Sequence, residues 1–245
     1  MNDHHGIAQL QAFLRATATG GREAVRVDPF EAYFDPRDEM KYLNYAIPDD
    51  RAEPSIEAVD ALRSVFRARS RLPRLEWIAE AAPSVAGAVE RAGMREELAA
   101  PLMACTRAEL RGPAVETAIT RASAADALDV LNVQRVAFGQ APVEDAGERS
   151  DRAMLARIDG RVAAVAGWTA VIGGVSEIVG VATAEPFRGR GLAGALTAAA
   201  TEAAFREGAE LCVLSPGDDA AQRVYARAGF SRVATMLHWS DTPGP

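Results

Sequence analysis

The sequence predicts a mixed α/β fold in two tandem copies, and three observations carry this prediction. An apolar run, a glycine-rich turn and a helix-forming stretch follow one another between Val175 and Glu207. Asp159-Gly160 separates two apolar runs, which is a strong signal for a β-hairpin. The two halves also share one order of patterns: strand, helix, strand, helix, glycine and strand. We therefore expect an internal duplication, although generic helix capping by glycine produces a similar pattern.

The first half reads as alternating helices and strands. Pro54 and Ser55 start a helix with a regular apolar face, and Ser55 suits its N-cap. The predicted elements are a helix at 7–17, a strand and turn at 25–34, a strand at 42–47, a helix from 54, a strand at 72–79, a helix at 84–92 and a strand at 97–106. The breaker cluster Arg111-Gly112-Pro113 then predicts a boundary, with domains at 1–112 and 113–245.

The second half places further strands ahead of its glycine-rich turn. Ser123 is the expected N-cap of its first helix, and the polar segment 139–151 has room for a short helix. The predicted elements are a strand at 114–121, a helix at 125–138, strands at 154–158, 162–171 and 175–183, a helix from about 191 to 208, a strand at 210–214, a helix from Asp218 or Asp219 to Gly229, and strands at 230–233 and 235–239.

Composition restricts the class of protein. The 245 residues, of which 49% are hydrophobic, suffice for one large domain or two small ones. A net charge of −7 argues against a nucleic-acid partner and suits a cationic substrate. The sequence holds no signal peptide and no apolar stretch of about 20 residues, so we expect a cytoplasmic protein with no membrane partner. Cys105 and Cys212 lie in apolar runs, as free thiols of a reducing compartment do.

The glycine-rich turn is RGRGLA, Arg188 to Ala193. Its glycines allow a ligand to approach the backbone closely, and the start of the following helix offers unpaired N–H groups, so a pyrophosphate would fit here. Gly189, Gly191 and Gly194 also spell the dinucleotide fingerprint G-x-G-x-x-G. The intervening residues 185–188 and the preceding hairpins argue against a dinucleotide, and a turn without a ligand is the other alternative.

The stretch from Val175 through RGRGLAG to YARAGF, Tyr225 to Phe230, resembles the acyl-CoA-binding core of the GNAT superfamily of N-acyltransferases. The family signature is Arg/Gln-x-x-Gly-x-Gly/Ala, and Arg188, Gly191 and Ala193 fill its fixed positions. The resemblance covers roughly residues 114–239 and is faint in the first half. It implies a largely antiparallel sheet flanked by helices, and acetyl-CoA as co-substrate with no metal.

The resemblance also implies roles for individual residues. The general acid of many members matches Tyr225, and some members carry a base where Glu177 stands, although a packing tyrosine and a surface strand glutamate would look the same. Backbone N–H groups near Val181 are the expected oxyanion donors, and Gly180 indicates either a β-bulge or close packing. The expected cofactor-binding residues are Val181, Ala182, Thr183, Arg188, Gly189, Arg190, Gly191, Leu192, Ala193, Gly194 and Asp218.

These residues predict an N-acetyltransferase that moves an acetyl group directly to a primary amine of a small molecule or peptide. A covalent route through Cys212 is not expected, because a buried thiol stays protonated. Where the second half has EPFRGRGLAG, the first has IPDDRAEPSI, which is acidic and lacks glycine. We expect the first half to be a degenerate copy without a cofactor loop, in a monomer or homodimer. The rival interpretation is a non-catalytic acyl-CoA-binding module with a regulatory or interaction role.

Overall fold

The computed structural model describes residues 3–36, 41–113, 115–147 and 151–241, and contacts divide the chain into two compact units. The first unit comprises 1–102 and 233–245, and the second comprises 103–232. The elements that begin in residues 1–102 are α1 (Asp3–Thr19), β1 (Glu23–Val27), β2 (Phe30–Phe34), a 3-10 turn (Lys41–Leu43), β3 (Tyr45–Pro48), α2 (Ile56–Arg67), β4 (Arg74–Ile78), α3 (Ser84–Arg91) and β5 (Arg95–Thr106).

The remaining elements follow in chain order. They are β6 (Ile119–Arg121), a 3-10 turn (Ala124–Asp126), α4 (Ala127–Ala137), β7 (Ala153–Ile158), β8 (Arg161–Trp168), β9 (Val175–Thr183), a 3-10 turn (Glu185–Phe187), α5 (Leu192–Arg206), β10 (Leu211–Leu214), α6 (Asp219–Arg227) and β11 (Ser231–Ser240).

Strands of the first unit pair in the order β1-β2-β3-β4-β11. Every pair is antiparallel except β3 with β4. Ser55 is the N-cap of α2, and its hydroxyl accepts a hydrogen bond from the Ala58 amide at 3.2 Å. The apolar face of α2 presents Val59, Leu62 and Phe66. These side chains share a core with strand residues on the same side of the sheet: Phe30, Leu75, Trp77, Leu237 and Trp239.

Strands of the second unit pair in the order β5-β10-β9-β8-β7-β6, and β5 contributes its residues 103–106. Here too one pair, β9 with β10, is parallel. The hairpin predicted at Asp159-Gly160 joins β7 to β8. The helix α5 contacts β8 and β9, and its small, apolar side chains form much of this unit's core. The sheet is thus mixed, largely antiparallel and flanked by helices, as predicted.

The two units differ from the predicted ranges 1–112 and 113–245. Part of β5 pairs with β10 and so belongs to the second unit, whereas β11 pairs with β4 and belongs to the first. The glycine and proline at 112–113 show where the chain can turn, but they carry no information about which strand a distant segment joins.

Some predicted elements are shorter or differently divided. The strand predicted at 114–121 is β6, which spans only Ile119–Arg121, and Ala114 lies outside the described residues. The two last strands are one continuous strand, β11. Within the polar segment 139–151, residues 139–147 form neither helix nor strand, and 148–150 lie outside the described residues.

Candidate active site

A cleft in the second unit lies beside the part of β9 that extends past its parallel partner β10. The pairing of β9 with β10 ends at Glu177 and Val213, while β9 continues for six further residues to Thr183. The last three of these residues, 181–183, border a cleft of about 730 Å³. A parallel strand that extends past its partner in this way leaves backbone groups available to a ligand.

The glycine-rich turn closes one end of this cleft. Gly191 is the N-cap of α5 and has φ of 76°, a left-handed conformation that glycine adopts without a steric penalty. The first N–H groups of α5 have no acceptor within the helix, so this end carries the positive side of the helix dipole. Arg188 donates from its Nε to the Thr183 carbonyl at 3.3 Å and lies beside the cleft. The turn is therefore built to hold an anion.

Most of the predicted cofactor-binding residues meet at the cleft. Those that line it are Val181, Ala182, Thr183, Arg188, Gly189, Gly191, Ala193, Gly194 and Asp218. The structure does not bring Arg190 or Leu192 to the lining: the Arg190 guanidinium lies over the Phe187 ring at 5.6 Å, and Leu192 is buried in the core. Asp218 also caps α6, because its Oδ1 accepts a hydrogen bond from the Ala221 amide at 2.7 Å.

A β-bulge interrupts β9 directly beside the cleft. The pairing of β8 with β9 shifts so that Ala166 faces both Gly180 and Val181. Gly180 has φ of 59°, and a Cβ placed on it would lie 2.2 Å from Nε2 of Gln134. Both interpretations of Gly180 are therefore confirmed, since the residue forms a bulge and is also closely packed.

Thr183 provides a polar atom without a partner at the lining. Its Oγ1 is buried and makes no hydrogen bond with any described residue. A buried hydroxyl in this state carries a desolvation cost unless a ligand or water supplies a partner. The cleft thus combines unpaired N–H donors, an arginine and an unsatisfied hydroxyl.

Glu177 occupies the last position at which β9 pairs with β10. Its backbone is held from the other side, because its amide donates to the Thr169 hydroxyl at 2.9 Å and its carbonyl accepts from the Thr169 amide at 2.9 Å. Loss of hydration on burial raises the pKa of the Glu177 carboxyl to about 7. A carboxyl with this pKa exchanges protons readily at neutral pH. Glu177 is not among the residues that line the cleft.

Tyr225 lies on α6 between cleft-lining residues, but its ring packs into the core. Val224 and Ala228 line the cleft, whereas Tyr225 is only 9% exposed. Burial, helped by the charge of Asp218, raises the pKa of the Tyr225 hydroxyl above its ordinary value of 10.0. The phenol therefore stays protonated at neutral pH.

Cys212 is the residue that a covalent route of acyl transfer would use as its nucleophile. It is fully buried, and burial raises the pKa of its thiol to about 12. A thiol with this pKa holds almost no thiolate at neutral pH.

The structure adds lining residues that the sequence motifs do not identify. They are Pro113, Ala137, Phe138, Ala220, Ala221, Val224, Arg227 and Ala228. Phe138 is 61% exposed at the end of α4, but a single exposed apolar side chain is common on protein surfaces and gives only a weak signal of a ligand site. Arg227, in the last turn of α6, carries no such signal, because a basic residue is usual at that position.

The described part of the chain offers neither a candidate metal site nor a candidate membrane span. No group of three or more histidine, cysteine, aspartate or glutamate side chains there could hold a metal ion. Among the same residues, no helix combines the length and apolar character needed to cross a membrane.

Comparison with known proteins identifies relatives of this architecture. Residues 126–230 match the sequence model described as acetyltransferase (GNAT) family. The chain is similar to the structure of a GCN5-related N-acetyltransferase from Kribbella flavida, with 29% identity, a TM-score of 0.84, and coverage of 97% of this chain and 96% of that one. No curated protein matches the chain.

Two further structures share the fold at lower identity. A GCN5-related N-acetyltransferase from Sphaerobacter thermophilus is 19% identical with a TM-score of 0.67, covering 89% of this chain and 78% of that one. A tandem GNAT protein from the clavulanic acid biosynthesis pathway is 13% identical with a TM-score of 0.63, covering 100% of this chain and 97% of that one. Its tandem organisation is consistent with two copies of the fold in this chain.

Proposed function

We propose that this chain, whose residues 126–230 are a GNAT-family acetyltransferase domain, moves an acetyl group from acetyl-CoA to a primary amine of a small molecule or peptide. The observation that carries the proposal is the cleft beside the end of β9, which has an anion-binding turn at one end and α6 along its side. A titratable carboxyl, Glu177, lies where the pairing of β9 with β10 ends.

The cleft fits coenzyme A by its chemistry. The N–H groups at the start of α5, with Arg188, would hold the pyrophosphate. Backbone groups of residues 181–183 would pair with the amides of the pantetheine arm, as an added strand does, and Thr183 Oγ1 offers a further hydrogen bond. Arg190, which lies over Phe187, would add charge from outside the lining. When bound, acetyl-CoA supplies a thioester as the activated acyl donor.

Glu177 and Tyr225 would move the protons. An amine acceptor arrives as an ammonium ion and must lose a proton before it can attack, and a carboxylate with a pKa of about 7 can take that proton directly or through water. The Tyr225 hydroxyl, kept protonated by burial, would protonate the departing thiolate. Backbone N–H donors near Val181 would stabilise the charge that develops on the carbonyl oxygen. Transfer is direct, because the Cys212 thiol is buried and protonated.

In the first unit, we propose, the equivalent cleft is closed. The parallel pair β3 and β4 corresponds in element order to β9 and β10. The buried side chain of Gln11, from α1, bridges this pair: its Oε1 accepts from the Ile78 amide at 3.2 Å, and its Nε2 donates to the Pro48 carbonyl at 3.4 Å. The amide of Gln11 thus takes the backbone partners that a pantetheine amide would need.

The turn after β3 is also unsuited to an anion. It carries the carboxylates of Asp49 and Asp50, and Arg15 is committed to the Asp50 carboxylate at 2.6 Å. Asp49 is likewise paired with Arg26, so a pyrophosphate would have to displace a carboxylate before it could use either arginine. The first unit is accordingly proposed to be a GNAT-like copy that binds no acyl-CoA, so the chain should bind one molecule of acetyl-CoA.

Thiol release from acetyl-CoA, measured across a panel of amines, tests the proposed function. The panel should contain a polyamine, free amino acids, an aminoglycoside and a peptide with a free N-terminus. We expect amine-dependent thiol release, with an acetylated product of the corresponding mass. Tight acetyl-CoA binding without turnover on any amine would favour the rival function, a non-catalytic acyl-CoA-binding module.

A further inference from the structure

The helix α4 presents one polar side chain within an otherwise apolar face. Val130, Val133 and Ala137 of this helix pack with residues of β7, β8 and β9. Gln134 follows Val130 by four positions and precedes Ala137 by three, so it lies on the same face. It is half-buried. A side-chain amide in such a position is costly unless it is hydrogen-bonded, and its partner therefore indicates what it does there.

That partner is the β-bulge of β9. Gln134 donates from Nε2 to the carbonyl of Gly180 at 3.0 Å. A Cβ on Gly180 would lie 2.2 Å from the same nitrogen, so any side chain there would push the Gln134 amide away and break this hydrogen bond. The hydrogen bond therefore depends on both residues: Gln134 supplies the donor, and the absence of a side chain at Gly180 leaves room for it.

This hydrogen bond controls the orientation of one peptide group. The carbonyl of Gly180 and the N–H of Val181 belong to the same planar, trans peptide, so they point in opposite directions. Holding the carbonyl toward Gln134 fixes the direction of the Val181 N–H. Glycine has wide backbone freedom, so without the bond this peptide could rotate. Val181 itself lines the cleft.

We propose that Gln134 is a positioning residue, which holds the Gly180–Val181 peptide so that the Val181 N–H donates to the thioester carbonyl oxygen of the acyl donor. This inference rests on the proposed acetyl transfer. A donor that is already oriented stabilises developing charge without reorganising during the reaction, which is why its orientation matters for the rate. Gln134 does not touch the reacting atoms and acts through the backbone of β9.

The decisive experiment removes the donor while keeping the volume of the side chain. Gln134→Leu should lower kcat by about tenfold or more, since loss of an oxyanion donor costs up to 10²–10³. The affinity for CoA without an acetyl group should change less than about twofold, because the turn at 188–193 is untouched. Gln222→Leu, on α6 and outside the cleft lining, is the matched control and should leave turnover unchanged. Thermal melts of both variants check that they fold.

A spectroscopic measurement gives a result that does not depend on turnover. In amide-resolved NMR, acetyl-CoA should shift the Val181 resonance of the wild type more than CoA does. In Gln134→Leu this difference should disappear, while the amides of Gly189 and Gly191 still respond to both ligands. A Val181 response unchanged by the substitution, in a folded variant, would overturn the inference and leave the proposed function standing. Loop amides that ignore both ligands in the wild type would overturn the acyl-CoA proposal, and this inference with it.

A second variant changes Gly180, the acceptor side of the hydrogen bond, instead of Gln134. Gly180→Ala should impair turnover through both its left-handed backbone and its clash with Gln134. In a double-mutant cycle, Gln134→Leu should then add less to Gly180→Ala than it costs alone, because the peptide is already misplaced. Fully additive losses would show that the two residues act independently and would contradict the proposed positioning role.

Discussion

At the scale of single residues, Glu177 occupies the last position at which β9 pairs with β10, and its carboxyl has a pKa of about 7. As a base it must be ionised, so the rate should rise with pH up to about 7 and then level off. Glu177→Gln should remove this acid limb and lower kcat by about 10² or more. The measurement is the pH profile of kcat, with Glu90→Gln, on the exposed surface of α3, as control. An acid limb that persists in Glu177→Gln would belong to another group.

The same substitution should change stability in the opposite sense to activity. The pKa of Glu177 is raised above its ordinary value of 4.5, so the folded state favours the protonated carboxyl. The stabilisation from this preference is complete below pH 4.5 and is lost as the pH rises through about 7. Glutamine is neutral throughout. Above pH 7, Glu177→Gln should therefore be more stable than the wild type by about 1–2 kcal/mol, measured by urea unfolding.

Tyr225 is a predicted proton donor whose ring lies in the core while its neighbours line the cleft, so its role in proton transfer needs a direct test. Tyr225→Phe keeps the ring and removes the proton donor, so kcat should fall by about 10² while the affinity for acetyl-CoA is retained. Tyr45→Phe, in the core of the first unit, is the control for loss of a buried hydroxyl. Unchanged turnover in Tyr225→Phe with intact cofactor binding would remove this residue from the mechanism.

At the scale of elements, the sequence patterns predicted the features that depend on neighbouring residues, namely helix caps and tight turns. Ser55 caps α2, Asp159-Gly160 turns a hairpin, and the turn at 188–193 opens α5, because each depends on residues adjacent in sequence. The lining from α4 was not predicted, since Ala137 and Phe138 reach the cleft only through the packing of α4 against the sheet. The hydrogen bond from Gln134 to the Gly180 carbonyl could not be predicted for the same reason, because the two residues are 46 positions apart in sequence.

The turn before α5 leads to a prediction about affinity and stoichiometry. Gly191→Ala places a side chain at a backbone φ of 76°, which costs about 1–2 kcal/mol and should displace the N–H groups of the turn. Calorimetry should find one acetyl-CoA bound per wild-type chain. The affinity of the Gly191→Ala variant for acetyl-CoA should be lower by about tenfold or more. Gly208→Ala strains the other end of α5 in the same way, with φ of 102°, and should leave affinity unchanged. Two molecules bound to the wild type would contradict the closed cleft of the first unit.

At the scale of the whole molecule, the order of patterns predicted two copies, but it could not predict which unit β5 and β11 would pair with. Hydrophobic alternation shows that residues 231–240 form a strand with one apolar face, and it is equally compatible with pairing in either unit. Pairing with β4 depends on residues more than 150 positions apart, as in the contact of Met236 with Ile78. Periodicity carries no information about such a choice, so the boundary predicted near 112 keeps β11 with the second half, whereas contacts group it with the first unit.

The assignment of β11 to the first unit can be tested with the side chains that it buries. Trp239 is 6% exposed, lies 6.5 Å from Trp77 between ring centroids, and belongs to the same core cluster as Leu237 and Leu75. Trp239→Ala should cost about 3–5 kcal/mol, and the loss should fall on that core. In native-state hydrogen exchange, amides of β4 should lose protection by about 10² or more, while those of β8 keep theirs. Trp168→Ala, buried in the core of the second unit, should produce the reverse pattern. If Trp239→Ala instead exposes β8 and spares β4, residues 233–241 are stabilising the second unit, and the sequence-based boundary would be restored.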